Sequence, residues 1–151
     1  MNRKYNTAEF LACVERLRRY FPGCALTADM ITGFPGETEA DQAAAVAFLE
    51  QVGFAAVHVF PYSRRPGTKA DAMPEQLSHA VKSARAHEAQ RVADACKQRY
   101  LVQQVGQTLP VLFETEHDGS WVGHSDNYCL VRAAGDDLRG LVKNVKIHTM
   151  S

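Results

Sequence analysis

Leu26-Thr-Ala-Asp-Met-Ile-Thr-Gly-Phe-Pro-Gly-Glu-Thr38 decides the fold of this chain. Its first half is apolar and its second half is a turn built on two glycines and a proline. The pattern predicts a strand over roughly Ala25–Thr32, a turn at Gly33–Glu37 and a helix that opens after Thr38. Asp41, three residues past Thr38, completes a variant capping box. The helix is expected over about Glu39–Gln51, with Ala43, Val46, Ala47, Leu49 and Val52 on its buried side and Gly53 as its stop. Phe54–Phe60 is again short and apolar, as a buried parallel strand should be. Strand, helix and strand then form a βαβ unit, and ligand sites of such sheets lie at the carboxyl ends of the strands.

Working outward, Asn6 or Thr7 can cap an earlier helix with Glu9 in its first turn. Phe10, Leu11, Val14 and Leu17 follow at helical spacing until Pro22-Gly23. Two parallel strands cannot bury both faces of their sheet, so this half reads as part of a larger sheet. Its open apolar edge invites self-association. Arg64–Pro74 reads as a loop. A long helix is expected from Pro74 or Glu75 to about Val102. Leu77, Val81, Ala84, Val92, Ala95 and Cys96 form its apolar stripe. Lys82, Arg85, Glu88, Arg91, Lys97 and Arg99 form its charged face. Beyond Gly106, the runs Thr108–Thr115, Ser120–Gly123, Tyr128–Ala133 and Leu141–Ile147 are short and β-like. Turns separate them, Asp118-Gly119 most clearly, and they predict a small barrel or sandwich.

The 151 residues carry 17 basic and 17 acidic side chains, so no global field favours nucleic acid or a membrane. Charge is uneven locally: residues 72–103 hold five Lys/Arg against three Asp/Glu, and residues 104–151 hold four against six. Binding of RNA by the tail must therefore come from a local patch. Cys13, Cys24, Cys96 and Cys129 are far apart in sequence, and no CxxC spacing exists for a metal or an iron–sulfur cluster. Free thiols, a polar amino terminus and no long apolar run point to the cytoplasm.

Several residues have two readings. The Gly33–Glu37 turn either approaches a ligand with its backbone and the following helix amides, or merely connects strand to helix. Asp29 either points into a site or sits on a solvated face. Arg64 and Arg65 either hold phosphate or carboxylate groups or are a solvated pair. His58 is better read as a satisfied core or barrel histidine than as a catalyst. Trp121, His124, Asn127, Tyr128 and Arg132 suit stacking on bases and contact with phosphate, yet the aromatics equally suit a small β core.

Taken together, Asp29-Met-Ile-Thr-Gly-Phe-Pro-Gly-Glu-Thr38, His58-Val-Phe-Pro-Tyr-Ser-Arg-Arg-Pro-Gly-Thr68 and Gly123-His-Ser-Asp-Asn-Tyr128 resemble the methylthiotransferases of the radical S-adenosylmethionine superfamily. The nearest branch is the one acting on N6-threonylcarbamoyladenosine in tRNA. The likeness covers nearly the whole chain. It implies an α/β fold plus a small all-β domain. Residues 1–73 would be the carboxyl-terminal part of a TIM-like radical domain, 74–104 a linking helix, and 105–151 a TRAM-like, OB-like barrel that binds tRNA.

The resemblance also implies S-adenosylmethionine and 4Fe–4S clusters in the parent enzyme. One cluster, held by CxxxCxxC, would generate a 5′-deoxyadenosyl radical. That radical takes a hydrogen from C2 of the modified adenosine, where a methylthio group is installed. Neither cysteine set is in this chain. It is therefore expected to hold no catalytic or metal-binding residue, to bind no cofactor tightly, to be inactive alone and to need an amino-terminal half.

Carried over residue by residue, Ile31, Gly33, Phe34, Gly36 and Glu37 would line S-adenosylmethionine, with Phe60, Pro61, Tyr62 and Ser63 on its adenosine side. Asp29, Arg64, Arg65, Trp121, His124, Asn127, Tyr128, Arg132, Lys143 and Lys146 would face RNA. Two other readings stay open: a stand-alone RNA-binding module, and part of a ribosomal-protein methylthiotransferase.

Overall fold

The computed structural model describes residues 4–149, so the first three residues of the polar amino terminus lie outside it. Two compact units divide the chain, Met1–Arg99 and Tyr100–Ser151.

In the first unit, α1 (Thr7–Tyr20) starts on a capping box in which Asn6 and Glu9 satisfy each other's backbone amides. A short turn leads into β1 (Thr27–Thr32). The Thr38–Asp41 box opens α2 (Glu39–Val52), and Gly53 closes it in the left-handed conformation. β2 (Ala56–Pro61) then pairs in parallel with β1, Asp29 opposite His58 and Ile31 opposite Phe60. α3 (His79–Gln104) follows the loop.

One face of the β1–β2 sheet is covered. Its core joins Val14 of α1, Leu49 and Val52 of α2, Phe54 and Val57, and Ala89, Val92, Ala93 and Cys96 of α3. The other face is bare, because Thr27, Asp29, Ile31, His58 and Phe60 are all exposed.

Both long helices bury other residues than the sequence pattern suggests. On α2, Ala43 and Ala47 face solvent, while Gln42 is buried beside Leu49 and Val52. Gln42 is satisfied there, its Nε2 donating to the Arg85 carbonyl and to Glu88 Oε2. α3 begins at His79 rather than at Pro74 or Glu75. Glu75 takes φ 60°, which breaks any helical run, and Ser78 accepts from the Val81 amide instead. Its buried side is Lys82, Arg85, Ala89, Val92, Ala93 and Cys96, with Ala84 and Ala95 outside. Two of the expected charged-face residues are thus inside.

The second unit is an antiparallel sheet in the order β5-β4-β3-β6. Its strands are β3 (Thr108–His117), β4 (Ser120–Ser125), β5 (Leu130–Ala133) and β6 (Val142–Lys146). Val111, Phe113, Trp121 and Val131 make the core, and Leu138, Val145 and Ile147 pack on it. Gly123 is required where β3 bulges between Phe113 and Thr115, since a Cβ there would overlap the Leu112 carbonyl. The expected barrel is not closed among the described residues. β5 and β6 are both edge strands, and a cleft of about 730 Å³ with residues of both strands in its walls stays open.

Candidate functional site

Two adjoining features of the first unit gather the chemistry. The first is the turn that ends β1. Gly33 and Gly36 have φ of 70° and 80°, a region that glycine enters without strain. Gly33 has a second constraint: a Cβ would lie 2.6 Å from Lys82 Cγ. The Gly33 amide donates to Glu37 Oε1 at 2.8 Å. Arg85 donates through Nη1 to the same oxygen and to the Glu37 carbonyl, each at 2.8 Å, and through Nη2 to Glu39 Oε1 at 2.6 Å. Its side chain is only 6% exposed. The hydrogen bond to Glu39 raises the guanidinium pKa above its ordinary value, burial opposes this, and Glu37 adds to the rise. The Gly36 amide is held by the Glu75 carbonyl.

Tyr62 closes the other side of the turn. Its amide donates to the Thr32 carbonyl, its ring meets Phe34 edge-on at 5.3 Å, and Lys82 Nζ lies 4.9 Å from its centroid. The Tyr62 hydroxyl and Thr32 Oγ1 are buried with no hydrogen-bond partner, as is Arg85 Nε.

The second feature is the bare sheet face. Ile31 is 37% exposed and Phe60 52%, side by side at the carboxyl ends of the strands. Asp29 and His58 lie one step back, opposite each other in register. His58 is an exposed residue whose ring stacks over Phe60 at 6.4 Å, so it is not a core histidine of this chain. Asp29 is exposed on that face. Pro61, the last residue of β2, is exposed, as are Ser63 and Arg65 beyond it. Arg64 is tied back to its own loop, Nε donating to Asp71 Oδ1 at 2.7 Å and Nη2 to the Asp71 carbonyl.

An apolar ledge of Ile31 and Phe60 beside a glycine backbone fits a flat ligand such as S-adenosylmethionine, whereas Thr32, 0% exposed, turns to the covered face and lies off that ledge. Glu37 would shape that site from behind, since its Oε1 is committed to Gly33 and Arg85. The same residues do not fit an iron–sulfur cluster. Cys13 is exposed, Cys24 half-buried, and Cys96 and Cys129 buried, and no three His, Cys, Asp or Glu side chains converge among the described residues.

In the second unit the expected RNA-facing residues separate. Trp121 is core, 6% exposed, its Nε1 donating to the Gly135 carbonyl, and so cannot stack on a base. Asn127 is structural, accepting from Ser125 Oγ and donating to Gln104 Oε1. Tyr128 is 85% exposed at φ 60°, a conformation a bulky residue adopts only when its surroundings impose it. His124 pairs with Glu114 at 2.6 Å. Arg132, Lys143 and Lys146, distant in sequence, all border the cleft left open by β5 and β6. Unanticipated is an exposed row across the sheet, Leu130, His124, Leu112 and Val142 in register. Alternation along each strand carried that signal. Arg85 had none, because Glu37 and Glu39 lie 48 and 46 residues away in sequence, and Lys82 had none, because Gly33 and Tyr62 reach it from other elements.

No family model matches the chain. Curated proteins do. The chain is 37% identical over 153 residues to the threonylcarbamoyladenosine tRNA methylthiotransferase MtaB of Bacillus subtilis, a match covering 97% of the chain and 34% of that protein. It is 39% identical over 154 residues to a tRNA-2-methylthio-N(6)-dimethylallyladenosine synthase of Maricaulis maris, covering 100% of the chain and 34% of that protein. A protein of the same name from Nitratidesulfovibrio vulgaris is 37% identical over 164 residues, covering 99% and 36%. The chain spans about a third of the length of the curated relatives it matches. Matched over nearly its whole length in this way, the chain corresponds in sequence to a carboxyl-terminal portion of proteins named as tRNA methylthiotransferases.

Proposed function

We propose that this chain is the carboxyl-terminal portion of a radical S-adenosylmethionine enzyme that adds a methylthio group to C2 of N6-threonylcarbamoyladenosine in tRNA. In that reading β1 and β2 are the last strands of a partial TIM-like barrel, and the second unit is a TRAM-like module that carries tRNA. The observation that supports it most is the bare, carboxyl-end face of a parallel strand pair. Parallel sheets are stable when covered on both faces, so this one calls for further strands to close over Ile31 and Phe60. When bound in the parent enzyme, S-adenosylmethionine and its cluster supply the radical that takes the C2 hydrogen.

This chain's residues bind and orient. The Ile31–Phe60 ledge and the Gly33–Gly36 backbone seat the adenosyl ligand, with Phe34, Pro61, Tyr62 and Ser63 around it. Asp29, Arg65, His124, Tyr128, Arg132, Lys143 and Lys146 face RNA. The cluster ligands come from the amino-terminal half, and the chain alone is inactive. The work is done in the cytoplasm. Among the described residues no helix is long and apolar enough to cross a membrane.

Nucleoside mass spectrometry of tRNA from cells with and without the gene tests the reaction. The 2-methylthio form of N6-threonylcarbamoyladenosine should disappear. Loss of the 2-methylthio dimethylallyl nucleoside instead would move the chain to the second substrate, an alternative favoured by matches of similar identity to enzymes of that name. No change in either nucleoside would sink the assignment. A tRNA titration at two salt concentrations tests the RNA surface, and absence of binding at low salt would remove it.

A further inference from the structure

We propose that Arg85 is a positioning residue: it fixes the shape of the Gly33–Glu37 turn from behind, through Glu37. The inference rests on the reading above only in taking that turn as a wall of the ligand site. Three observations carry it. One guanidinium serves both ends of the turn's last residue, donating to the carbonyl and to the carboxylate of Glu37. That carboxylate oxygen in turn receives the Gly33 amide, so the turn is closed on itself by a bond that Arg85 orients. One turn of helix earlier, the Lys82 stem occupies the space a side chain at Gly33 would need.

Arg85 is a costly way to build a passive linker. A guanidinium 6% exposed is stable only when paired, and here Glu37 and Glu39 both pair with it. Gln42 adds a bond from α2 to the Arg85 carbonyl. Sliding α3 by one residue would take Arg85 off Glu37 and the Lys82 stem off Gly33 together. The helix register therefore sets the turn. A residue that touches no ligand then governs how the backbone at Gly33–Gly36 is presented.

Amide hydrogen exchange on this chain tests the proposal. In Arg85→Gln the Gly33 amide should exchange faster by about tenfold or more, while Val57 and Val111 amides hold their protection. Glu39→Gln, which removes an exposed partner, should have a much smaller effect. Arg85→Lys, which keeps the charge and loses the fork, should recover part of the protection. Unchanged Gly33 exchange in a folded Arg85→Gln protein would overturn the proposal. If that variant loses its native circular dichroism, Glu37→Gln takes its place. It keeps an amide oxygen for Gly33 and gives up the ion pair, and the same two outcomes decide. Titration with S-adenosylhomocysteine separates the two levels. Shifts at Gly33–Gly36 that weaken about tenfold in Arg85→Gln support both. No shifts in the wild-type chain overturn the ligand reading, and Gly33 exchange still decides the role of Arg85.

Discussion

The two sheets of this molecule solve the same burial problem differently. The β1–β2 pair is parallel, and helices cover one of its faces while Ile31 and Phe60 stand bare on the other. The β3–β6 sheet is antiparallel, buries Val111, Phe113, Trp121 and Val131 on its inner side, and presents Leu112, His124, Leu130 and Val142 outward. An antiparallel sheet with one solvated face is an ordinary finished object, whereas a two-stranded parallel sheet is not. The second unit therefore holds its own core, and the first has a core on one side and a demand for more strands on the other.

Substitutions can break or sharpen that contrast. The largest effect is expected for Phe113→Ala. Phe113 is 1% exposed, and its loss should cost about 4 kcal/mol in urea denaturation and unfold the second unit while the first keeps its helical signal. Gly33→Ala should follow at about 2 kcal/mol, from the positive φ together with displacement of the Lys82 stem. Its effect should fall on the first unit alone.

Thr38→Ala should cost about 1 kcal/mol by removing the α2 cap. The same cap has a pH signature. The Thr38 side-chain and backbone hydrogen bonds hold the Asp41 carboxyl below its ordinary value. A depressed folded value means the stabilisation is complete above the unfolded pKa and is lost as pH falls through the folded one. Acid titration of the first unit should show that loss below the usual carboxylate range, and Asp41→Asn should abolish it. Phe60→Ser should change stability least, within about 0.5 kcal/mol. It should instead lower the concentration-dependent light scattering expected of a bare apolar face. A large loss of stability at Phe60 would mean that face is covered within the chain, and the contrast would fail.

Most of the architecture was legible because local signals marked it. Asn6 with Glu9 and Thr38 with Asp41 marked the first two helix starts, Gly53 marked a stop, and short β-like runs separated by turns marked the four later strands. What escaped depends on contacts remote in sequence. Lys82 and Arg85 looked like solvent-facing charges because a helical pattern scores polarity, not the pairing of Arg85 with Glu37 and Glu39 or the packing of Lys82 on Gly33 and Tyr62. Ala84 and Ala95 looked buried for the same reason. The start of α3 was hidden by Pro74, which suits a first helical turn but precedes an irregular stretch ending at Ser78. In the candidate site, the turn and both strand ends were visible as motifs, whereas the orphaned hydroxyls and the Arg85 contacts needed coordinates. Trp121 was ambiguous by type, and its bond to Gly135 decides for the core.

That bond has a practical side. Trp121 is the only tryptophan of the chain and lies wholly within Tyr100–Ser151. Excited beyond tyrosine absorption, its fluorescence follows melting of the second unit and is blind to the first. Calorimetry registers both. Any gap between the two melting curves measures how far the halves unfold independently, with no label attached to either.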